Sequence, residues 1–459
     1  MSDRQNDFSQ GSIPRNIMNL AIPMTAAQLV NVLYSVVDRI YLGHLPESDS
    51  LALTGLGVTM PIVSILMGFA NLCGTGGAPL CSISRGRGDD EEAERVMGNA
   101  FVLLLILGAA GTAFFLALKE PILYLFGTSP DTFPYADGYM SIYLCGTLFV
   151  MISLGMNPFI NAQGFGRVGM MTVLLGAAVN IVLDPVLIFL FHMGVQGAAL
   201  ATVFSQGLSA AWVLAFLTGK KAILRLKREN LRLDGRRTGK IVSLGLSGFF
   251  VNMTNSLVQV VCNATHQAYG GDLYVGVMTI INSIREVFIM PVHGLTNGSQ
   301  PVAGYNYGAK LYSRVRQSIR FSVGVTVAYS AAFWAVAMLF PEPLIHIFKS
   351  DPDILAAGVP ALRIYFGMFL FMSLQLAGQG VFVGLGRSRQ AVFFSLLRKA
   401  IINAPLTLIL PIWMGTTGVF AAEAVSQLVG GLACFLTMYF TVYRPLGRME
   451  DGAPTQNAA

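Results

Sequence analysis

Long apolar runs separated by short polar segments dominate the chain from residue 16 to residue 440. A helix of about 20 apolar residues is long enough to cross the hydrocarbon core of a bilayer. Six such runs lie near 16–42, 51–75, 96–118, 138–160, 168–191 and 197–218. Six more lie near 241–265, 274–300, 317–340, 357–384, 391–414 and 418–440. The pattern predicts an all-α polytopic membrane protein with twelve transmembrane helices.

The composition agrees with this class of protein and excludes others. Of the 459 residues, 54% are hydrophobic and 12% are charged, whereas soluble domains carry roughly 25% charged residues. The five cysteines lie in or beside apolar runs at no zinc-ligand spacing, which favours small buried side chains over disulfides or metal ligands. An ordinary soluble enzyme, a disordered chain and a disulfide-stapled secreted domain are excluded. The placement of the net charge of +6 then matters more than its size, so we expect no nucleic-acid partner.

Basic residues alternate between the loops. The segment 219–240 contains nine Lys and Arg residues, and further arginines follow the second, fourth, eighth, tenth and twelfth runs. The alternate loops hold little positive charge beyond Lys119 and Lys349. Because basic loops stay on the cytoplasmic side, we expect both termini in the cytoplasm and a location in the plasma (inner) membrane.

The second half of the chain repeats motifs of the first half in the same order. The string YLCGTLF at 143–149 resembles YFGMFLF at 365–371, and GFGR at 164–167 matches GLGR at 384–387. An even number of spans in each half makes the repeat parallel, which is typical of two-lobed transporters. We therefore predict an N-terminal six-helix lobe (1–218), a basic cytoplasmic linker (219–240), a C-terminal six-helix lobe (241–446) and a polar tail (447–459). A duplication kept for packing alone is the alternative.

Ionisable residues within a span cost about 2.5–3.5 kcal/mol each on insertion scales, so each needs a reason. Apart from Arg320, which belongs with the basic residues at the cytoplasmic end of its span, nine Asp, Glu, Lys and Arg residues fall within the predicted spans: Asp38, Arg39, Asp184, Arg285, Glu286, Arg363, Arg398, Lys399 and Glu423. Asp38 and Asp184 are expected at similar depth, in the outer half of the bilayer. Polar residues accompany them at helical spacing or on the following span, namely Asn31, Asn180 and Thr202. Such oxygens can hold Na⁺, or the carboxylates can share protons, and either chemistry couples an ion to a conformational change.

The repeat sharpens this interpretation, because the positions equivalent to Asp38, Asn180 and Asp184 are occupied by Cys262, Ala400 and Ala404. The acidic pair thus exists in the N-terminal half alone. The structural alternatives are an ion pair of Asp38 with Arg39 or Arg363, and a helix cap where Pro185 follows Asp184.

Other ionisable residues are candidates for a substrate or secondary coupling role: Glu286, Arg398 and, more weakly, Glu423. Adjacent Arg285 is not the automatic partner of Glu286, whereas Arg398 and Lys399 could neutralise it, so a structural ion pair is the alternative to a substrate or proton role. Pro23 interrupts the first span and is a candidate hinge, with a purely structural kink as the alternative.

Three strings give the chain a family resemblance. They are VVDRIYLG at 36–43, NIVLDPVLIF at 180–189 and QPVAGYNYGA at 300–309, and in them the sequence resembles the multidrug and toxic compound extrusion (MATE) family over 14–446. The resemblance implies a V-shaped exporter of cationic, amphipathic compounds driven by a sodium or proton gradient. It also implies a cation site in the N-terminal lobe at the positions of Asp38, Asn180, Asp184 and Thr202, with Asn31 nearby and Pro23 as the bending point. The seventh and tenth spans lack the carboxylates of the branch that uses a C-lobe acidic cluster.

These observations predict a monomeric antiporter coupled to H⁺ or Na⁺ that works by alternating access, with no further cofactor. The same architecture allows a lipid-linked saccharide flippase, which would need arginines facing a phosphate, or an exporter of one specific metabolite. An enzyme is disfavoured because the sequence contains no His, Ser or Cys constellation at either membrane face.

Overall fold

A computed structural model describes residues 7–43, 50–348, 351–449 and 451, with backbone alone for residues 35–36, 38–40, 42–43 and 50–54. Every long element in these ranges is a helix. The first half contains α1 (Ile13–Gly43), α2 (Ser50–Gly86), α3 (Asp90–Leu125), α4 (Phe133–Cys145), α5 (Thr147–Ala162), α6 (Gly166–Pro185) and α7 (Gly194–Thr218). The second half contains α8 (Gly235–Gly308), α9 (Tyr312–Leu339), α10 (Pro341–His346), α11 (Pro352–Phe366), α12 (Phe369–Gly384), α13 (Ser388–Leu396), α14 (Ala404–Ile409), α15 (Pro411–Met414), α16 (Thr416–Met438) and α17 (Arg444–Leu446).

The helices account for the twelve predicted spans. Within the described ranges, nine continuous helical segments are long and apolar enough to cross a membrane, and the bent pairs α4–α5 and α11–α12 bring the number to 11. The 74 residues of α8 would extend for roughly 110 Å, several times the thickness of a bilayer core. A break at Gly271, whose φ of 62° is outside the helical region, divides α8 into two spans. The predicted fold class is confirmed.

Matching irregularities show the repeat in three dimensions. Helices α4 and α5 bend by 56° and helices α11 and α12 by 43°. The bends fall at Gly146 and Gly367, which occupy equivalent positions in the two halves of the sequence. Gly194, with a φ of 53°, begins α7, and Gly415, with a φ of 57°, directly precedes α16, so the last long helix of each half starts at equivalent glycines. The two halves therefore share their bends and turns as well as their sequence.

Three helices widen into π-helical segments at Val186–Leu190, Leu397–Asn403 and Tyr439–Tyr443. Pro185 directly precedes the first segment, and Pro405 lies two residues after the second. A proline cannot donate to the helical ladder, so the carbonyl groups around it must find other partners. Because π-helical turns occur often at functional sites, the first two segments identify regions of interest.

The backbone forms two compact units, each with its own apolar core. The first consists chiefly of Ala26–Arg85 and Asp89–Gly245, and the second consists of Phe8–Thr25, Gly86–Gly88 and Leu246 onwards. The start of α1 thus belongs to the second unit, and the start of α8 to the first. The lobe boundaries that we drew from the sequence stay a prediction.

The segment that joins the halves is ordered and packs within the first unit. The buried carboxylate of Glu94 accepts hydrogen bonds from the backbone N–H of Arg225 at 3.0 Å and the amide of Asn230 at 3.3 Å. It also pairs with the ammonium group of Lys227 at 2.7 Å. The hydrogen bond from Lys227 to Glu94 raises the pKa of Lys227. A short 3₁₀ turn at Arg228–Asn230 completes the connection.

Candidate functional site

Helix α6 positions two of the predicted ion ligands one turn apart on its buried face. Asp184 is fully buried and Asn180 is 1% exposed. The Nδ2 atom of Asn180 donates to Oδ1 of Asp184 at 3.4 Å, and Oδ1 of Asn180 has no hydrogen-bond partner in the described part of the chain. An ionised carboxylate buried within a membrane-spanning helix is costly unless a cation, a proton or hydrogen-bond donors compensate it.

Thr202, the third predicted ligand, lies on the antiparallel neighbour α7. The hydroxyl of Ser209 donates to the carbonyl of Thr172 at 3.0 Å, and a Cβ on Gly197 would lie 2.9 Å from the carbonyl of Leu187. These two contacts set the register, which places Thr202 at a level between Asn180 and Asp184. Thr202 is 9% exposed. The structure therefore brings three of the five predicted ion-site residues into one buried part of the first unit.

The other predicted residues of this site lie on α1. The backbone of Asp38 is helical, but its side chain lies outside the described residues, so its distance from Asp184 stays untested. Asn31 has an exposed side chain two turns before Asp38. Pro23 lies within the helix, two residues before the point at which α1 passes from one compact unit to the other.

A second buried polar cluster lies in the second unit around Glu423. Arg398 donates to Oε1 of Glu423 at 2.9 Å, and Nζ of Lys399 lies 3.1 Å from both carboxylate oxygens. Asn403 donates to Oε2, and Gln427 donates to Oε1 at 3.4 Å. All five residues are at least nine-tenths buried. One carboxylate thus accepts hydrogen bonds from four side chains, and the cluster keeps one positive charge in excess.

This cluster corrects the predicted ion pairing. In the sequence analysis Arg398 and Lys399 were the candidate partners of Glu286. In the structure both pair with Glu423. The reason is local, because the π-helical segment Leu397–Asn403 presents both cations and Asn403 to the facing helix α16. Glu286 instead pairs with its neighbour Arg285 at 2.6 Å, which we had not expected of adjacent helical residues.

Glu286 remains a candidate for a substrate or coupling role. Its side chain is 57% exposed while that of Arg285 is 17% exposed, and both lie near the middle of the span that ends at Gly308. A carboxylate exposed to lipid at this depth would cost several kcal/mol. The physical expectation is therefore that Glu286 faces water or another polar surface.

The two units thus carry different chemistry on equivalent helix pairs. Glu423 occupies the position of the second half that corresponds to Thr202 in the first. In the second half the buried carboxylate lies on the second helix of the pair, α16, where Arg398 and Lys399 donate hydrogen bonds to it. The α6–α7 pair carries one carboxylate, whereas the π-widened helix and α16 carry a cationic network.

Sequence reasoning missed several members of these clusters. Asn403 and Gln427 were not predicted, although NAP at 403–405 aligns with LDP at 183–185 and was a usable signal. His266 is fully buried, and its ring lies 4.6 Å from that of Phe420. Both ring nitrogens of His266 lack hydrogen-bond partners among the described residues. Across the same ranges, no three His, Cys, Asp or Glu side chains converge to hold a metal ion.

The fold and the buried polar groups define a polytopic helical membrane protein of the transporter class, built from a repeated six-span unit. The MatE family model matches residues 23–186 and 249–409, one segment in each half. The chain therefore belongs to the MatE family of transporters, as the resemblance in sequence led us to expect.

Individual relatives and solved structures agree. The chain is 25% identical over 445 residues to the multidrug export protein MepA of Staphylococcus haemolyticus, covering 96% of both proteins. A crystal structure of MATE in complex with MaL6 superposes with a TM-score of 0.90 at 22% identity, covering 97% of this chain and 100% of that one. The outward-facing conformation of a multidrug resistance MATE family transporter gives a TM-score of 0.89 at 22% identity, covering 98% of this chain and 100% of that one.

Proposed function

We propose that this protein is a multidrug efflux antiporter that exports cationic, amphipathic compounds in exchange for Na⁺ or H⁺. Membership of the MatE family and a relative named as a multidrug export protein support the transport class. The observation that carries the coupling role is Asp184, a fully buried carboxylate in a membrane-spanning helix beside Asn180. Asp38 is its proposed partner.

The proposed cycle is alternating access. The ion enters from outside and neutralises Asp184 and Asp38, and α1 then shifts about Pro23 and favours release of the substrate. An ion that binds one conformation more tightly than the other shifts the population between the two. The membrane potential contributes about 2.3 kcal/mol per elementary charge per 100 mV. Return to the inward-open state releases the ion and admits a new cationic substrate.

The distribution of basic residues supports an orientation in the membrane. We place both termini in the cytoplasm of a plasma (inner) membrane because the basic linker and the basic ends of alternate spans share one side. We propose a monomer with no cofactor beyond the coupling ion, and no enzymatic activity.

The flippase alternative loses support from the ion pairs of the second unit. It required Arg285, Arg398 and Lys399 to face a phosphate, but Arg398 and Lys399 donate to Glu423 and Arg285 to Glu286. An exporter of one specific metabolite would use the same coupling chemistry. Only the range of exported substrates distinguishes it from a multidrug exporter.

The test is ethidium efflux from proteoliposomes with sodium and proton gradients imposed separately. We expect efflux with one gradient, and its loss in Asp184→Asn. Asp137→Asn is the matched control, because Asp137 pairs with Lys119 at 2.8 Å and both are partly exposed. Efflux that survives Asp184→Asn would move the coupling site towards Glu286, and absence of efflux with either gradient would favour the flippase or the metabolite exporter.

A further inference from the structure

A basic pocket lies in the second unit at the beginning of α9. Its volume is about 260 Å³, and it is lined by Ser313, Arg314, Arg316, Gln317, Arg320 and Tyr443. Arg316 and Arg320 are four residues apart and therefore lie on the same face of α9. None of these residues takes part in the ion site or in the cluster around Glu423.

Two of the three arginines have no counter-charge in the part of the chain that the structure describes. In the described ranges of the chain, neither Arg316 nor Arg320 forms an ion pair. The guanidinium group of Arg316 lies 4.8 Å from the ring centre of Tyr443, and its Nε atom is buried without a hydrogen-bond partner among the described residues. Such a guanidinium lacks the acceptor that it normally finds in a protein.

The third arginine, Arg314, forms hydrogen bonds with the segment before α1 and with the end of α8. Arg314 donates to the carbonyl groups of Phe8, Gln10 and Gly11 at 2.9–3.1 Å and to the side chain of Asn306 at 3.0 Å. These hydrogen bonds hold Arg314 against the residues that precede α1.

One carboxylate lies at the rim. Asp451 accepts hydrogen bonds from the backbone N–H of Ser313 at 2.9 Å and from its hydroxyl. These bonds lower the pKa of Asp451, which therefore stays ionised at neutral pH. Among the described residues, Arg316 and Arg320 stand against this one carboxylate, which leaves the pocket positive.

The pocket lies where two membrane-spanning helices end. Helix α9 begins at Tyr312, and the last spanning segment ends at Leu446. Tyr439 and Tyr443 stack at 5.6 Å beside the pocket. Tyrosine is enriched at the level of the lipid headgroups, so we expect this pocket at headgroup depth.

An apolar surface leads away from the pocket along the same segment. Leu436 and Phe440, four residues apart, are 47% and 54% exposed. An occupant with a phosphate and acyl chains would place the phosphate on the arginines and the chains along these side chains. A free phosphate would use the arginines alone.

We propose that this pocket binds the phosphate group of an anionic phospholipid, with Arg316 and Arg320 as its ligands. Guanidinium groups form bidentate hydrogen bonds with phosphate oxygens. Arg387, Arg444 and Arg448 follow neighbouring spans on the same predicted cytoplasmic side, where they add to the field that attracts anionic lipid. The proposal does not depend on the coupling ion or on the exported substrate.

Native mass spectrometry of the detergent-purified full chain tests it, with phosphatidylglycerol, phosphatidylcholine or inorganic phosphate added. We expect tight binding of phosphatidylglycerol, and binding at least about tenfold weaker in Arg316→Gln/Arg320→Gln, a change equivalent to about 1.4 kcal/mol. Arg389→Gln is the matched control, because Arg389 is exposed, lies in the same unit and forms no ion pair among the described residues.

A second variant covers the case in which the double variant fails to fold. A Cβ on Gly447 would lie 3.0 Å from the guanidinium carbon of Arg316, so Gly447→Val should displace this group and weaken binding of phosphatidylglycerol while every charge is kept. Equal binding of phosphatidylglycerol by wild type and both variants would overturn the proposal. Binding of inorganic phosphate as tight as that of the lipid would overturn the lipid assignment.

Discussion

The backbone of Gly76 in α2 lies so close to Ile241 in α8 that a Cβ atom on Gly76 would fall 2.1 Å from the carbonyl oxygen of Ile241. The repeat reproduces this contact, because a Cβ on Gly298 would fall 2.7 Å from the backbone nitrogen of Ala21. Gly298 is the counterpart of Gly76 in the second half, and Ala21 is the counterpart of Ile241 in the first. The start of α8 thus packs in the first unit in the way that the start of α1 packs in the second.

We expect Gly76→Ala to destabilise the protein by about 1–3 kcal/mol, because the added methyl group must push two backbones apart. The measurement is the thermal unfolding midpoint of the detergent-solubilised protein. Gly57→Ala in the same helix is the control, since a Cβ there meets nothing within 4 Å. Alanine at that exposed helical position should change stability by no more than about 1 kcal/mol, in the stabilising direction. Equal midpoints for the two variants would contradict the close packing.

In the network around Glu423, we expect removal of the negative charge to cost more stability than removal of one positive charge. Glu423→Gln leaves Arg398 and Lys399 buried without a counter-charge and should cost about 3–5 kcal/mol. Lys399→Met leaves the neutral pair of Arg398 and Glu423, and should cost much less. Comparison of the two unfolding midpoints checks this, with Glu286→Gln as the exposed control. The excess positive charge would be refuted if Lys399→Met proved the more damaging variant.

Thr202 supplies a test of the ion site that leaves the carboxylates in place. Thr202→Ala removes a hydroxyl at the level of Asn180 and Asp184, and should raise the concentration of coupling ion at half-maximal efflux by about tenfold, as for a lost hydrogen bond of about 1.4 kcal/mol. Thr202→Ser keeps the hydroxyl and should remain close to wild type. If alanine and serine behave alike, Thr202 takes no part in coupling.

Glu94 should control the order of the connecting segment. In Glu94→Gln the ion pair with Lys227 is lost, and trypsin should cleave faster after the basic residues between 220 and 232. Glu229→Gln is the control, because Glu229 lies exposed in the same segment. The raised pKa of Lys227 means that its contribution is complete below the ordinary lysine pKa of about 10.4 and is lost only as the pH rises beyond it. Protection in wild type should therefore be constant between about pH 6 and pH 9; a fall within that range would be inconsistent with this pair.

The spans and the repeat could be predicted because a bilayer imposes a strong condition on the sequence. A membrane-spanning segment must be apolar and must satisfy its backbone internally, so hydropathy alone locates helices such as α3 and α7. The bends at Gly146 and Gly367 were not predicted. A glycine within an apolar run is common, and nothing local separates one that bends a helix from one that packs.

A predicted hydrogen-bonded pair was found only where both partners lie on one helix. Asn180 and Asp184 are four residues apart, so helical periodicity places them together. The partner of Arg398 depends on how two helices face each other and on the π-helical segment, which changes the angular positions of the residues that follow. Neither the facing of the two helices nor the π-helical segment can be read from local spacing, so from the sequence we paired Arg398 with Glu286 in place of Glu423.

Pro23 makes the proposed hinge testable within a single helix. It removes the hydrogen bond to the carbonyl of Asn19, and α1 changes compact unit between Thr25 and Ala26. We expect Pro23→Ala to restore that bond, stiffen α1 and slow efflux by about tenfold or more, while the affinity for ethidium changes little. Pro14→Ala is the matched control, because a proline in the first turn interrupts no helical bond. The measurements are the initial efflux rate and the ethidium affinity of each variant. If Pro23 is a hinge, Pro23→Ala alone lowers the rate. If Pro23 is only a structural kink, both variants keep the wild-type rate.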